Sequence, residues 1–221
     1  MNRASSLTAV ALASALALAG CGTGGEQNTD AASETTSSTA AATGAGSPSS
    51  TPSGATSGEP IAEEHNDDDV MFAQMMIPHH QQAVDMSETL LAKDDIPADV
   101  QDFAQKVIDA QGPEIERMNQ MLQTWEAPMS GEDSTSMDHG AGGMMSEEDM
   151  GMLTDAQGTD AARLYLEQIT VHHEGAVEMA QEQIEQGQNP QAVELARQVV
   201  EDQEAEITEM EQMLQELPDG S

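Results

Sequence analysis

Four of the six histidines in this 221-residue chain occur as two adjacent pairs, His79-His80 in "MMIPHHQQAVDM" and His172-His173 in "ITVHHEGAVEM". The pairs stand 93 positions apart, and six residues after the second histidine of each comes a methionine, Met86 or Met179. Imidazole nitrogens and thioether sulfurs are metal donors, and a mixed set of the two is soft, favouring Cu(I) among biological ions. Residues three or seven apart share a helical face. That spacing groups Met76, His79 and Met86 in the first copy and His172 with Met179 in the second. Adjacent helical residues point about 100° apart. One member of each pair therefore reads as a ligand, the other as a core neighbour or a donor that supports it. Asp85 and Glu174 are candidates for orienting the rings. Because neutral imidazole is the ligating form, binding is expected to weaken below about pH 6.5. Packing is the rival account: Gln111 and Gln203 would satisfy the buried rings, and Met would be core filler.

A second donor cluster follows in "MSGEDSTSMDHGAGGMMSEEDMGML". Met137, His139, Met144 and Met145 are its candidate ligands, for a segment that captures Cu(I) or passes it inward. The alternative is a loop laid over the protein with Met as an adaptable contact.

Other chemistries lack their residues. Ferritin-type di-iron sites need Glu-x-x-His on two helices, but Met76, Ile77, Ile169 and Thr170 stand three before the histidines. "HHEGAVEM" has no second His four residues after His173, as a zinc-protease helix requires. No nucleophile motif or phosphate loop is present. The formal net charge of -35 argues against nucleic acid, which needs clustered Lys and Arg.

Helices must position these groups. Phe72, Met76, His79, Ala83, Met86 and Leu90 are spaced 4-3-4-3-4, as is the parallel row through Ala73, Ile77, His80, Val84, Ser87 and Leu91. This spacing predicts a helix from an Asn66 cap to near Lys93. Val100 to Trp125 form a second amphipathic row, with a kink or break expected at Gly112-Pro113. The second half repeats the plan: Tyr165, Ile169, His172, Ala176 and Met179, then Leu195 to Leu214. Gln111, Ile115, Met118, Met121 and Leu122 recur 92 residues later as Gln203, Ile207, Met210, Met213 and Leu214. The repeat thus spans both helices of each hairpin, and Glu204-Ala205 in place of Gly112-Pro113 favours an unbroken second helix. Two αα-hairpins joined by a long Met-rich crossover make an all-α four-helix bundle. Ser146 and Asp149 cap a short helix within the crossover. If the hairpins pack about a two-fold axis, the mid-helix histidines meet in the core.

Ahead of the bundle, residues 1–20 read as a lipoprotein signal peptide, with Arg3, an apolar stretch and "LAGC". The last resembles a bacterial lipobox, implying lipidation of Cys21, the only cysteine. Residues 21–62 are rich in Ser, Thr, Gly and Ala and read as a disordered tether. The bundle domain is placed at 63–218, roughly 155 residues, enough for one core.

"FAQMMIPHHQQAVDM", "AQGPEIERMNQML", "MDHG…GMMSEEDM" and "YLEQITVHHEGAVEM" resemble the domain of unknown function 305 family over about Asp69 to Leu214. The resemblance implies a ferritin-like four-helix bundle, secreted or lipid-anchored, and linked to copper binding and copper tolerance. Met76, His79, His80, Met86, His172, His173 and Met179 match the family pattern. The family often has Met at the place that Ile169 holds here. The expected function is a Cu(I) buffer or carrier, not an enzyme, on the outer face of the cytoplasmic membrane. Its partners would be the metal ion, the membrane through Cys21, and a copper-handling protein. The competing expectation is an envelope structural or interaction module without metal.

Overall fold

The protein is described by a computed structural model over residues 60–129 and 141–218. The signal segment, most of the tether, Cys21, Met137 and His139 lie outside the described residues. Four long helices carry the fold: α1 (Asp67–Leu91), α2 (Ala98–Thr124), α4 (Gly158–Gln186) and α5 (Pro190–Glu216). A 3-10 turn (Ala141–Gly143) and the short α3 (Glu147–Asp155) precede α4.

The ends follow from local chemistry. Asn66 caps α1 in a reciprocal box with Asp69, and Ser146 caps α3 in the same way with Asp149. These side chains satisfy amide N–H groups that have no partner within the helix. Asn189 caps α5, and Pro190 supplies the fixed φ of its first turn. α2 is one helix through Gly112-Pro113, as the second repeat suggested. α1 likewise continues through Pro78.

Each hairpin packs internally, α1 on α2 and α4 on α5, and the hairpins meet mainly through α1 and α4. α3 rests against α1 and α4, and its Leu153 is fully buried. α1 and α4 run antiparallel: Phe72 to Met76 cluster with Ala176 and Ala180, whereas Ala83 to Leu90 cluster with Ala161 to Ile169. That relation is what a two-fold between repeats produces, and it brings both mid-helix motifs to one level.

The apolar core is divided in two. One cluster holds Met86, Leu90, Phe103, Tyr165 and Met210; the other holds Met76, Met118, Leu122, Ala180 and Val199. Between them lies a buried polar waist, two residues from each long helix: His79 and His80, Gln111 and Glu114, His172 and His173, Gln203 and Glu206. Burying polar groups costs free energy unless they find partners. A waist of eight polar side chains therefore demands an account of every partner. Among the described residues, no helix is long and apolar enough to cross a membrane.

Candidate metal centre at the bundle waist

His79 from α1 and His172 from α4 lie against each other, ring centroids 3.7 Å apart and planes inclined by 34°. Their neighbours point away, His80 at 6.4 Å from His79 and His173 at 6.4 Å from His172. The 100° step between adjacent helical residues thus sorts the pairs: the first members meet at the α1–α4 contact, and the second members turn toward α2 and α5.

The second members are bound by carboxylates. His80 Nε2 donates to Glu114 Oε2 at 2.9 Å, and His173 Nε2 donates to Glu206 Oε2 at 3.0 Å. These bonds are repeat-equivalent and buried. They correct the expectation that Gln111 and Gln203 satisfy the rings. Both Gln111 amide atoms and Gln203 Oε1 lack partners. The carboxylates one turn further along each helix reach the imidazoles instead. Asp85 and Glu174 are exposed, so they do not orient the rings. Glu114 and Glu206 were the residues to find, and the 92-residue repeat that pairs Gln111 with Gln203 also pairs them. Burial, with Glu114 and Glu206 nearby, also raises the carboxyl pKa of Asp202.

The first members are differently placed. His79 Nε2 lies 2.7 Å from the Gly142 carbonyl oxygen. A carbonyl only accepts, so Nε2 carries the proton and Nδ1 keeps a lone pair. That Nδ1 has no partner, and neither ring nitrogen of His172 has one. Burial, then the neighbouring His80, lowers the His79 pKa to about 3. Burial, then His79, lowers His172 well below the ordinary value. Both rings are therefore neutral at pH 7, each with a nitrogen lone pair available. A ring whose far N–H is held by a carbonyl is also the usual arrangement of a metal-bound histidine.

The Ala141–Gly143 turn closes this pair from outside. Gly142 and Gly143 both have φ of 76°, a left-handed conformation natural to glycine. Gly175 on α4 admits the turn: a Cβ there would strike the Gly142 carbonyl carbon and oxygen. Downstream, Gln82 grips Met145 through two bonds, Nε2 to the carbonyl at 2.9 Å and Oε1 from the amide at 2.7 Å. Gly175→Ala is expected to lift the turn and break the His79–Gly142 bond. The net loss should be about 1–3 kcal/mol in denaturant unfolding, the usual cost of overpacking. This holds although Ala is intrinsically the better helix former; a stabilised variant would contradict the docked turn.

The methionines separate from one another. Met76 and Met86 are fully buried but lie in different apolar clusters, on opposite sides of the waist. Met179 is half-buried and faces the turn, its Sδ 3.5 Å from where a Gly142 Cβ would stand. Met144 is half-buried, and Met145 packs beside the Phe103 cluster. The spacing rule identified residues on one helical face. It could not show that the face crosses two apolar clusters with a polar layer between them. Among the described residues, no three His, Cys, Asp or Glu side chains converge as a metal cage. The imidazole nitrogens buried without partners at the waist are His79 Nδ1, His80 Nδ1, His173 Nδ1 and both of His172.

No curated protein matches the chain. Solved structures do. A DUF305 fragment from Deinococcus radiodurans is 30% identical, with a TM-score of 0.64, over 69% of this chain and 98% of that one. A DUF305 protein from Streptomyces coelicolor, provisionally described as secreted, is 34% identical, with a TM-score of 0.62, over 67% and 91%. CopM in its Cu(I)-bound form is 31% identical, with a TM-score of 0.56, over 67% and 96%. CopM has also been solved with Cu(II) and with Ag. The model of the domain of unknown function DUF305 matches residues 69–214, and the chain belongs to that family.

Proposed function

We propose that this protein is an extracytoplasmic copper-binding protein that buffers or transfers Cu(I), with His79 and His172 as its inner ligands. The carrying observation is the pair of facing, buried, neutral imidazoles in which His79 Nδ1 and both His172 nitrogens lack partners. A buried polar atom left unpaired costs about 1–3 kcal/mol, and a soft cation accepting those lone pairs removes that cost. The CopM structures support copper as the ion, since CopM was solved with Cu(I), Cu(II) and Ag. His80 and His173, each held by a carboxylate, buttress the pair from behind. Met76 and Met179 are the nearest thioethers along the two helices, and Met86 packs on the far side of the waist. The turn before Met144 and Met145 covers the pair, and Met137 and His139 precede it in the chain. A lipid on Cys21 and the 21–62 tether would hold the 63–218 bundle at the outer face of the membrane. A membrane copper-handling protein would be its partner. The chemistry is binding, not turnover.

Competitive titration tests this reading. The purified chain is expected to withdraw Cu(I) from a chromogenic chelator, and His79→Gln/His172→Gln is expected to lose that uptake while keeping its helical signal. No withdrawal by the wild-type chain would leave a metal-free envelope module as the reading.

A further inference from the structure

Outside the waist, α1 and α4 form a second feature that the copper reading does not use. Met71, Met75 and Met179 line a small groove of about 40 Å³, open to solvent on one side, together with Asp68, Phe72, Glu182 and Gln183. Met71 and Met75 are one helical turn apart and project on one face. Met71 is 43% exposed, and Met75 and Met179 are half-buried. A single exposed Met is ordinary on a folded surface; the convergence of Met71, Met75 and Met179 on one groove is the feature to explain. Three thioethers around a solvent-open groove, with two carboxylates at its edge, form a donor set for a soft monovalent cation. The carboxylates raise the local cation concentration, and the thioethers choose among the ions that arrive.

The groove also leads inward. The Met179 sulfur abuts Gly142, and the Gly142 carbonyl accepts the His79 Nε2 proton. One residue of the turn therefore touches both an outer thioether and an inner imidazole. We infer that Met71, Met75 and Met179 form an outer, weaker Cu(I) or Ag(I) site that loads the waist. The inference rests on the copper reading for its inner site, but its own ligands are separate.

Silver ion is the probe, being soft, monovalent and inert to redox under these conditions. In the full-length protein with isotope-labelled Met ε-methyl groups, the signals of Met71, Met75 and Met179 are followed beside the imidazole signals as Ag(I) is added. The three methyl signals are expected to shift, and to do so also in His79→Gln/His172→Gln. Met71→Leu/Met75→Leu/Met179→Leu, a nearly volume-conserving change, is expected to abolish those shifts. In an otherwise wild-type chain it should also slow imidazole loading about tenfold or more. Melting curves confirm that each variant is folded. Imidazole shifts without methyl shifts overturn the outer site and leave the inner one standing. Methyl shifts without imidazole shifts support the outer site and overturn the inner reading.

Discussion

Acidifying the metal-free protein below pH 6.5 is expected to remove its stability steeply, and His79→Gln/His172→Gln is expected to abolish that sensitivity. His79 titrates near 3 in the fold against 6.5 in the unfolded chain, and His172 is also displaced well below 6.5. Above pH 6.5 neither state binds a proton at these rings, so nothing is lost. Below it the unfolded chain takes up protons that the folded chain refuses, and each ring removes about 1.4 kcal/mol per pH unit. Two rings remove about 2.8 kcal/mol per unit from a total that for most domains is only about 5–15 kcal/mol. The loss continues until the pH nears 3. The background runs the other way. With 41 acidic and 6 basic residues, partial protonation of surface carboxylates relieves self-repulsion and stabilises the compact state. The double variant should therefore hold or gain stability between pH 6.5 and 5 where the wild type falls. Urea unfolding at pH 7, 6 and 5 distinguishes the two, and equal slopes would refute buried neutral imidazoles. The same depression shifts proton competition for Cu(I) at His79 to well below the pH 6.5 expected from an ordinary imidazole.

This behaviour was only half legible in the sequence. The duplicated histidines, the hairpin repeat, and the Asn66 and Ser146 caps are local or periodic signals, and the structure has them where periodicity placed them. The meeting of His79 and His172 followed from repeat symmetry, since antiparallel packing of equivalent helices brings their midpoints together. The polar waist was not legible, because a helical face drawn from spacing runs unbroken through the histidines. Only the packing of four helices shows that Met76 and Met86 fall in separate apolar clusters. Glu114 and Glu206 were missed for a different reason. Acidic residues are so abundant here that a carboxylate on a helix reads as surface, although these two recur at the repeat spacing. The Gly175 contact with the turn depends on a crossover whose path no periodicity encodes.

Asp69→Asn is expected to cost about 1–3 kcal/mol, the range for leaving a buried donor without its acceptor. Asp69 is fully buried without a cationic partner. Its oxygens accept instead from the Asn66 amide at 2.9 Å, the Gln183 side chain at 2.6 Å, the Gln188 amide at 3.1 Å and the Asn189 amide at 2.9 Å. That one carboxylate joins the start of α1 to the turn between α4 and α5. An Asn in its place presents an N–H₂ to donors already aimed at it, so at least one amide loses its acceptor. The repeat offers no reserve, since Ala162 occupies the equivalent position in the second half. Ten residues of helix, about 15 Å at 1.5 Å per residue, separate Asp69 from His79. Over that distance the two effects should add. Asp69→Asn is thus expected to lower the unfolding midpoint at every pH without changing the slope between pH 6.5 and 5. The histidine variant should change the slope and leave the pH 7 midpoint nearer to wild type. A slope altered by Asp69→Asn would mean that the waist and the end of the bundle do not hold their residues independently. The turn-side wall of the Met groove would then move with Gln183, and the outer and inner copper sites would have to be treated as one.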